Sequence, residues 1–308
     1  MMRTDWQALE DAAHRLTPTG AKVTHLCSGG LSTFQVETRG GDFYALKVIE
    51  VLSPACERSD EEWAALPQVD HPHVVPYLDA GSISGDASSY RWLTMELVEG
   101  MSLDAYLDQA PSHDLSEMVG LLRDAVAGAA ALWDAGIAHR DLTPENMIVT
   151  PSGRLVIVDL GMAQVPDGQS DSGVPRSLRL WTAPEQIAAG TTFGDWRSDQ
   201  YVLGLLGYRL VTGSELFFEA PNRRAATAVE AAKHSPADRN PDVPALLADI
   251  ITTMLASHPQ DRWPRGDDLL AAIDDVLVSL PPGRVATHPH ADGHRTAISC
   301  ATGSRVPL

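Results

Sequence analysis

Three oxygen-bearing side chains and one lysine give this sequence its chemistry. Asp141 and Asn146 stand five residues apart in His139-Arg140-Asp141-Leu142-Thr143-Pro144-Glu145-Asn146, and Asp159 follows thirteen residues later in Asp159-Leu160-Gly161. Oxygen ligands of this kind hold hard cations, and a carboxylate beside them can orient a hydroxyl for attack. Transfer of a phosphoryl group asks for those same parts. Lys47 ends the strand-like run Ala45-Leu46-Lys47 and is one of only three lysines among 23 basic residues, with Lys22 and Lys233, so its place beside an apolar run carries weight. Taken singly, these strings read as a polar loop, a turn and a solvated lysine; their joint spacing carries the chemical reading.

The elements that must position them follow from periodicity. Between about residues 23 and 97 the pattern is strand-like, with runs 34–38 and 43–51 separated by Arg39-Gly40-Gly41-Asp42, a hairpin signal. A helix is predicted over 59–66, stopped by Pro67, and a further strand over 73–78. After Val98-Glu99-Gly100 the spacing becomes helical, over 115–136 with Gly136 as the stop, then over 198–212, 244–255 and 267–280. Residues 283–308 lack apolar periodicity and read as a disordered tail. There is no internal repeat. The expected fold is α+β and two-lobed: an N-terminal extension over 1–20, then a domain over 21–281. Within it a small antiparallel β lobe with one helix (21–97) joins a larger, mainly helical lobe (101–281) through a hinge at 96–100.

In their order along the chain these strings resemble the protein kinases, in particular the bacterial branch of the eukaryotic-like (Hanks-type) serine/threonine kinases, from about Leu26 to Leu280. The resemblance implies transfer of the γ-phosphoryl of ATP to a protein hydroxyl, with autophosphorylation. Asp141 matches the carboxylate that takes the hydroxyl proton, Asn146 and Asp159 match the ligands of Mg²⁺ (or Mn²⁺), and Lys47 matches the lysine on the α- and β-phosphates. Glu62 matches the partner of that lysine; its neighbour Glu61 is the alternative, facing about 100° away on a helix. The string from Leu26 to Phe34 resembles the glycine-rich phosphate loop, with Gly29 and Gly30 present but Cys27 and Ser32 in place of two glycines. Met95 would be the gatekeeper, the Glu96 carbonyl and Val98 amide would bond adenine, and Leu26, Phe34, Ala45 and Ile148 would wall it. Glu185 of Ala183-Pro184-Glu185 pairs with Arg262 in this family, and Asp199 braces the catalytic loop.

Two positions depart from the family. Thr143 stands where serine/threonine kinases carry a lysine, and Leu178 stands where they carry the threonine that contacts it. A slow kinase, a nucleotide-binding pseudokinase acting as a scaffold, and a tyrosine or dual-specificity kinase are the readings this leaves. A small-molecule phosphotransferase is less consistent with Glu185 and Arg262. Arg140 suggests control by a phosphorylated serine, with Ser170, Ser172 and Ser177 as the hydroxyls at hand.

The net charge of −18, with basic residues scattered, argues against a nucleic-acid partner. It also means that ATP must be met by local cations or metal. Three cysteines without a CxxC pair fit a reducing compartment, with the cytoplasm as the expectation, and no apolar run is long enough for a membrane segment. The protein substrate is not legible in the chain.

Overall fold

The computed structural model describes residues 6–26, 32–50, 65–84, 89–109, 114–159, 181–189, 194–214, 216 and 235–281. Its first lobe is built on a five-stranded antiparallel sheet in the order β1-β2-β3-β5-β4, comprising β1 (Lys22–His25), β2 (Ser32–Glu37), β3 (Phe43–Glu50), β4 (Tyr77–Ser84) and β5 (Ser89–Glu96). The predicted turn joins β2 to β3: Gly41 takes φ 87, a conformation that suits glycine, and Thr38 N donates to Asp42 O at 2.9 Å. Of the predicted helix over 59–66 only its end is described, where a 3₁₀ turn, Leu66–Gln68, carries Pro67.

Strand alternation gives this sheet two working faces. Thr33 lies opposite Lys47 and Gln35 opposite Ala45, while Ala45 lies opposite Met95 and Lys47 opposite Leu93; these side chains share one face. Phe34, Val36, Leu46 and Val48 share the other, which is covered by a helix within the stretch expected to be an extension, α1 (Trp6–Leu16). Leu9, Ala12 and Ala13 are buried there against Phe34 and Leu46. Their i, i+3, i+4 spacing is the stripe an amphipathic helix needs, so 1–20 contains an integral part of this lobe.

The run over 73–78 is corrected by the structure. Strand β4 starts only at Tyr77, because the segment before it docks on the large lobe instead of a sheet neighbour. Val75 N donates to Ile157 O and Ile157 N donates to His73 O, both at 2.9 Å. The His73 ring bonds Leu155 O at 2.8 Å and lies 3.3 Å from Asp124, whose other oxygen accepts from Leu155 N. Gly128 makes room for this strap, since a Cβ there would come within 2.5 Å of His73 O.

The second lobe begins with β6 (Met101–Ser102) and α2 (Leu103–Gln109), and its core is α3 (Leu115–Asp134) against α5 (Trp196–Thr212). Asp114 caps α3 by accepting from Ser116 N at 2.9 Å, and Gly136 at φ 76 follows its end as predicted. Strands β7 (Met147–Val149) and β8 (Leu155–Ile157) complete a three-stranded sheet with β6. The remaining helices are α4 (Pro184–Ala189), α6 (Pro236–Arg239), α7 (Ala245–Met254) and α8 (Gly266–Ser279). The predicted helices over 115–136, 198–212, 244–255 and 267–280 thus recur within two residues at each end. A shared core joins the lobes, with Ala45, Leu93 and Met95 packed in one cluster with Leu132, Ile148 and Val158. The predicted tail lies outside the described residues.

Candidate active site

The short hairpin of β7 and β8 gathers the polar residues. Because its strands pair Met147 with Ile157, the residue before β7 meets those after β8, and Val158 N donates to Asn146 O at 2.9 Å. Asn146 is thereby held near Asp159. Its Nδ2 donates to both Asp141 O and Asp141 Oδ2 at 2.9 Å, which commits the amide protons to Asp141 and leaves Oδ1 as the acceptor. Asp159 adopts φ 57, a left-handed conformation that costs a non-glycine residue about 1–3 kcal/mol and persists only where its surroundings impose it. From the facing β3, the wholly buried Lys47 forms an ion pair with Asp159 Oδ1. Burial, and next the charge of Asp159, push the Asp141 carboxyl up to about 6, against the opposing pull of Lys47 and the Asn146 hydrogen bond.

The shape of the 139–141 loop is imposed from below. Asp199, on α5 and 2% exposed, accepts from His139 N at 2.6 Å, Arg140 N at 2.8 Å and the Trp133 indole N–H at 3.0 Å. Arg140 has φ 71, which lets successive N–H groups converge on one carboxylate. Lower still, Arg262 holds Glu185 with two hydrogen bonds of 2.8 Å and donates to Arg197 O and Ala256 O. Burial alone would raise the Glu185 carboxyl; the guanidinium and the Ser198 hydroxyl more than offset this and hold it below its ordinary value. Above the loop, Ala45, Met95 and Ile148 are buried in one cluster, with Val98 packed against it. Glu96 is exposed at the end of β5, its N–H committed to Pro76 O at 3.0 Å.

A family model described as the protein kinase domain matches residues 23–270. The chain belongs to the protein kinase family. The kinase is 28% identical over 292 residues to the serine/threonine-protein kinase PknA of Mycobacterium tuberculosis, covering 91% of this chain and 67% of that relative. It is 30% identical over 252 residues to the probable serine/threonine-protein kinase PknB of Corynebacterium glutamicum, covering 78% of the kinase and 39% of the relative. With the serine/threonine-protein kinase pkn2 of Myxococcus xanthus the identity is 32% over 302 residues, covering 92% and 35%. The kinase thus spans about two thirds of the first relative and well under half of the other two. Its branch is that of the bacterial Hanks-type kinases, and the two-lobed α+β fold and the use of ATP with a divalent cation come with it. No helix among the described residues is long and apolar enough to cross a membrane.

The residues present fit such a ligand. Lys47 presents a buried cation, and Asp159 with Asn146 Oδ1 offers the hard oxygen donors a divalent ion takes. The structure therefore brings Lys47, Asp141, Asn146 and Asp159 together, and places Ala45, Met95 and Ile148 on one apolar wall with Val98 at its edge. Leu26 lies half-buried just after β1, its N–H on Thr33 O at 2.9 Å. Glu62, Gly29, Gly30, Leu178, Ser170, Ser172 and Ser177 lie outside the described residues. Phe34 is corrected: it packs on the far face of the sheet, under α1, because its register partner is Leu46 rather than Ala45 or Lys47.

Sequence reasoning also missed residues. Trp133 has no motif around it, and its role comes from a contact 66 residues away. The His73–Asp124 brace likewise joins distant segments. Gly100 had a visible signal, a glycine as the last residue of the hinge: at φ 151, a Cβ there would approach Val149 O to 2.3 Å.

Proposed function

We propose that this kinase transfers the γ-phosphoryl of ATP, held with Mg²⁺, to a serine or threonine hydroxyl of a protein, and that it phosphorylates itself. The observation that supports this most directly is the meeting of Asp141, Asn146, Asp159 and Lys47 from the loop, the hairpin and the facing sheet. ATP with its cation supplies the transferable group and neutralises charge as that group moves. In this reading Lys47 holds the α- and β-phosphates and Asn146 Oδ1 and Asp159 take the metal. Asp141 orients the acceptor hydroxyl and takes its proton. Asn146, bonded to Asp141, fixes both the carboxyl and the metal side of the site. Ala45, Met95, Val98 and Ile148 form the adenine wall, with Leu26 at its edge and the Glu96 carbonyl at the hinge; Gly29 and Gly30 are proposed for the phosphate loop and Glu62 as the second partner of Lys47.

Thr143 favours a second reading, a tyrosine or dual-specificity kinase, because the cation that serine/threonine kinases place beside the catalytic carboxylate is absent at that position. Incubating the purified kinase with Mg²⁺ and γ-labelled ATP, followed by phosphoamino-acid analysis, decides between them. Phosphoserine or phosphothreonine, lost at least about 10³-fold in Asp141→Asn, is the expected result. Label confined to phosphotyrosine favours the second reading, and label that survives Asp141→Asn refutes the proposed role of Asp141.

A further inference from the structure

We infer that α1 is a positioning element for the nucleotide: by packing Leu9, Ala12 and Ala13 on the back of β2 and β3, it holds the strands that bring Lys47 and the phosphate loop to the cleft. The inference rests on the nucleotide site proposed above, and its starting point is the alternation of side chains on those strands. Lys47 faces the cleft, so its neighbours Leu46 and Val48 face away from it, and both are 1% exposed in one cluster with Leu9, Ala12 and Ala13. Phe34 is buried in the same cluster opposite Leu46, and Thr33 beside it lies opposite Lys47. Thr33 O in turn accepts from Leu26 N at 2.9 Å, which ties together the two ends of the segment that carries Gly29 and Gly30. One short helix therefore backs both phosphate-binding parts of the small lobe.

The helix depends on its seat. With 11 residues it does not persist in water by itself, so α1 forms only while it is docked. Ala12 and Ala13 are short enough to let it lie close on the sheet, and Leu9 is the largest of its buried side chains among the described residues. Residues 17–21 join it to β1 through a tight turn in which Ala21 N donates to Pro18 O at 3.0 Å. The guanidinium of Arg39, from the β2–β3 turn, lies against Gly20, where a Cβ would come within 2.3 Å of Arg39 Nε. Docking of α1 and the arrangement of β2 and β3 are thus one equilibrium, and a nucleotide that needs that arrangement favours the docked helix in return. When α1 lifts, Phe34, Leu46 and Val48 lose their cover, the strands shift, and Lys47 and the loop no longer meet the phosphates together. Apparent affinity then falls with the fraction of molecules in which the helix is seated. Asp141 belongs to the large lobe, to whose core α1 contributes no residue among those described.

Calorimetric titration of the full chain with Mg²⁺-ADP, which carries the α- and β-phosphates and is not turned over, separates this role from mere packing. Leu9→Ala is expected to weaken binding about 10-fold and Leu9→Val about threefold, while Leu9→Met, which conserves volume, stays within about twofold of the parent. Val276→Ala removes apolar volume from a wholly buried position of α8 in the other lobe, and is expected to lower Tm with the affinity within about twofold of the parent. A merely structural α1 lowers Tm in the Leu9 variants and leaves their affinity parental. Reciprocity supplies a second readout. In the parent, saturating Mg²⁺-ADP is expected to slow amide hydrogen exchange across α1 about 10-fold, whereas a helix uncoupled from the site exchanges at one rate with and without nucleotide. Parental affinity in Leu9→Ala, an equal loss in Val276→Ala, or α1 exchange indifferent to Mg²⁺-ADP overturns the inference. If Leu9→Ala does not fold, Leu9→Val and the exchange of the parent decide. A parent that binds Mg²⁺-ADP but transfers no phosphoryl group from ATP refutes the proposed function and leaves both readouts in force; a parent that binds no nucleotide refutes both proposals.

Discussion

Glu185–Arg262 at the base of the large lobe and Lys47–Asp159 across the cleft are both ion pairs whose cation is wholly buried, yet their surroundings differ. Arg262 places its donors on both Glu185 oxygens and on two backbone carbonyls, while Glu185 takes a further hydrogen bond from Ser198. Asp159, whose side chain is about as exposed as that of Glu185, differs in carrying a left-handed backbone and, among the described residues, a single ion-pair contact. A pair saturated in this way can only hold. A pair with one contact among the described residues, on a residue held under strain, is able to exchange one partner for another, which a site that admits and releases a charged ligand requires.

The sharpest way to break the comparison is at the saturated pair. Arg262→Met leaves Glu185 without its guanidinium and is expected to cost about 3–5 kcal/mol, read by urea denaturation, with activity falling only as folded protein is lost. Because the folded Glu185 carboxyl is held below its ordinary value, this stabilisation is full above that value and is lost as pH falls through the folded one. Lys47→Met should do the reverse. Steady-state assays are expected to show kcat/KM lower by about 10²–10³, while Tm moves less than in Arg262→Met, since among the described residues Lys47 makes one hydrogen bond and Arg262 four. At Asp141 the comparison is sharpened by pH. Its carboxyl is raised by burial and by Asp159, so the folded state holds a proton that the unfolded chain has released, and stability declines as pH rises from the ordinary carboxylate range through about 6. Thermal melts at pH 7 should therefore show Asp141→Asn about 3 kcal/mol more stable than the parent, an advantage that vanishes below about pH 4. In the parent, kcat/KM should fall as pH drops below about 6, where Asp141 takes up its proton.

Much of this arrangement was legible from local rules. Helix α3 has helical apolar spacing and a glycine stop, the β2–β3 hairpin has glycines where the chain must turn, and Asp141, Asn146 and Asp159 fall on either side of two short strands whose pairing brings them together. What escaped was decided by distant partners. Phe34 occupies a motif position that suggests a ligand wall, but which face of a strand points to the cleft depends on register. Here the opposite face is claimed by α1, whose stripe of Leu9, Ala12 and Ala13 was readable in residues taken as an extension. Trp133 and the His73–Asp124 brace have no local signature, because a hydrogen bond between segments far apart in the chain leaves none in either segment.

The strap from His71 to Pro76 has a mechanical consequence. It is stitched to β8 on one edge and its carbonyl at His73 is seated over Gly128, so the two lobes are riveted along their rear seam. Any gaping that admits a nucleotide must then be a rotation about that seam. The front lip travels farthest, and the back of the cleft, where Met95 and Val158 share a core, stays shut throughout.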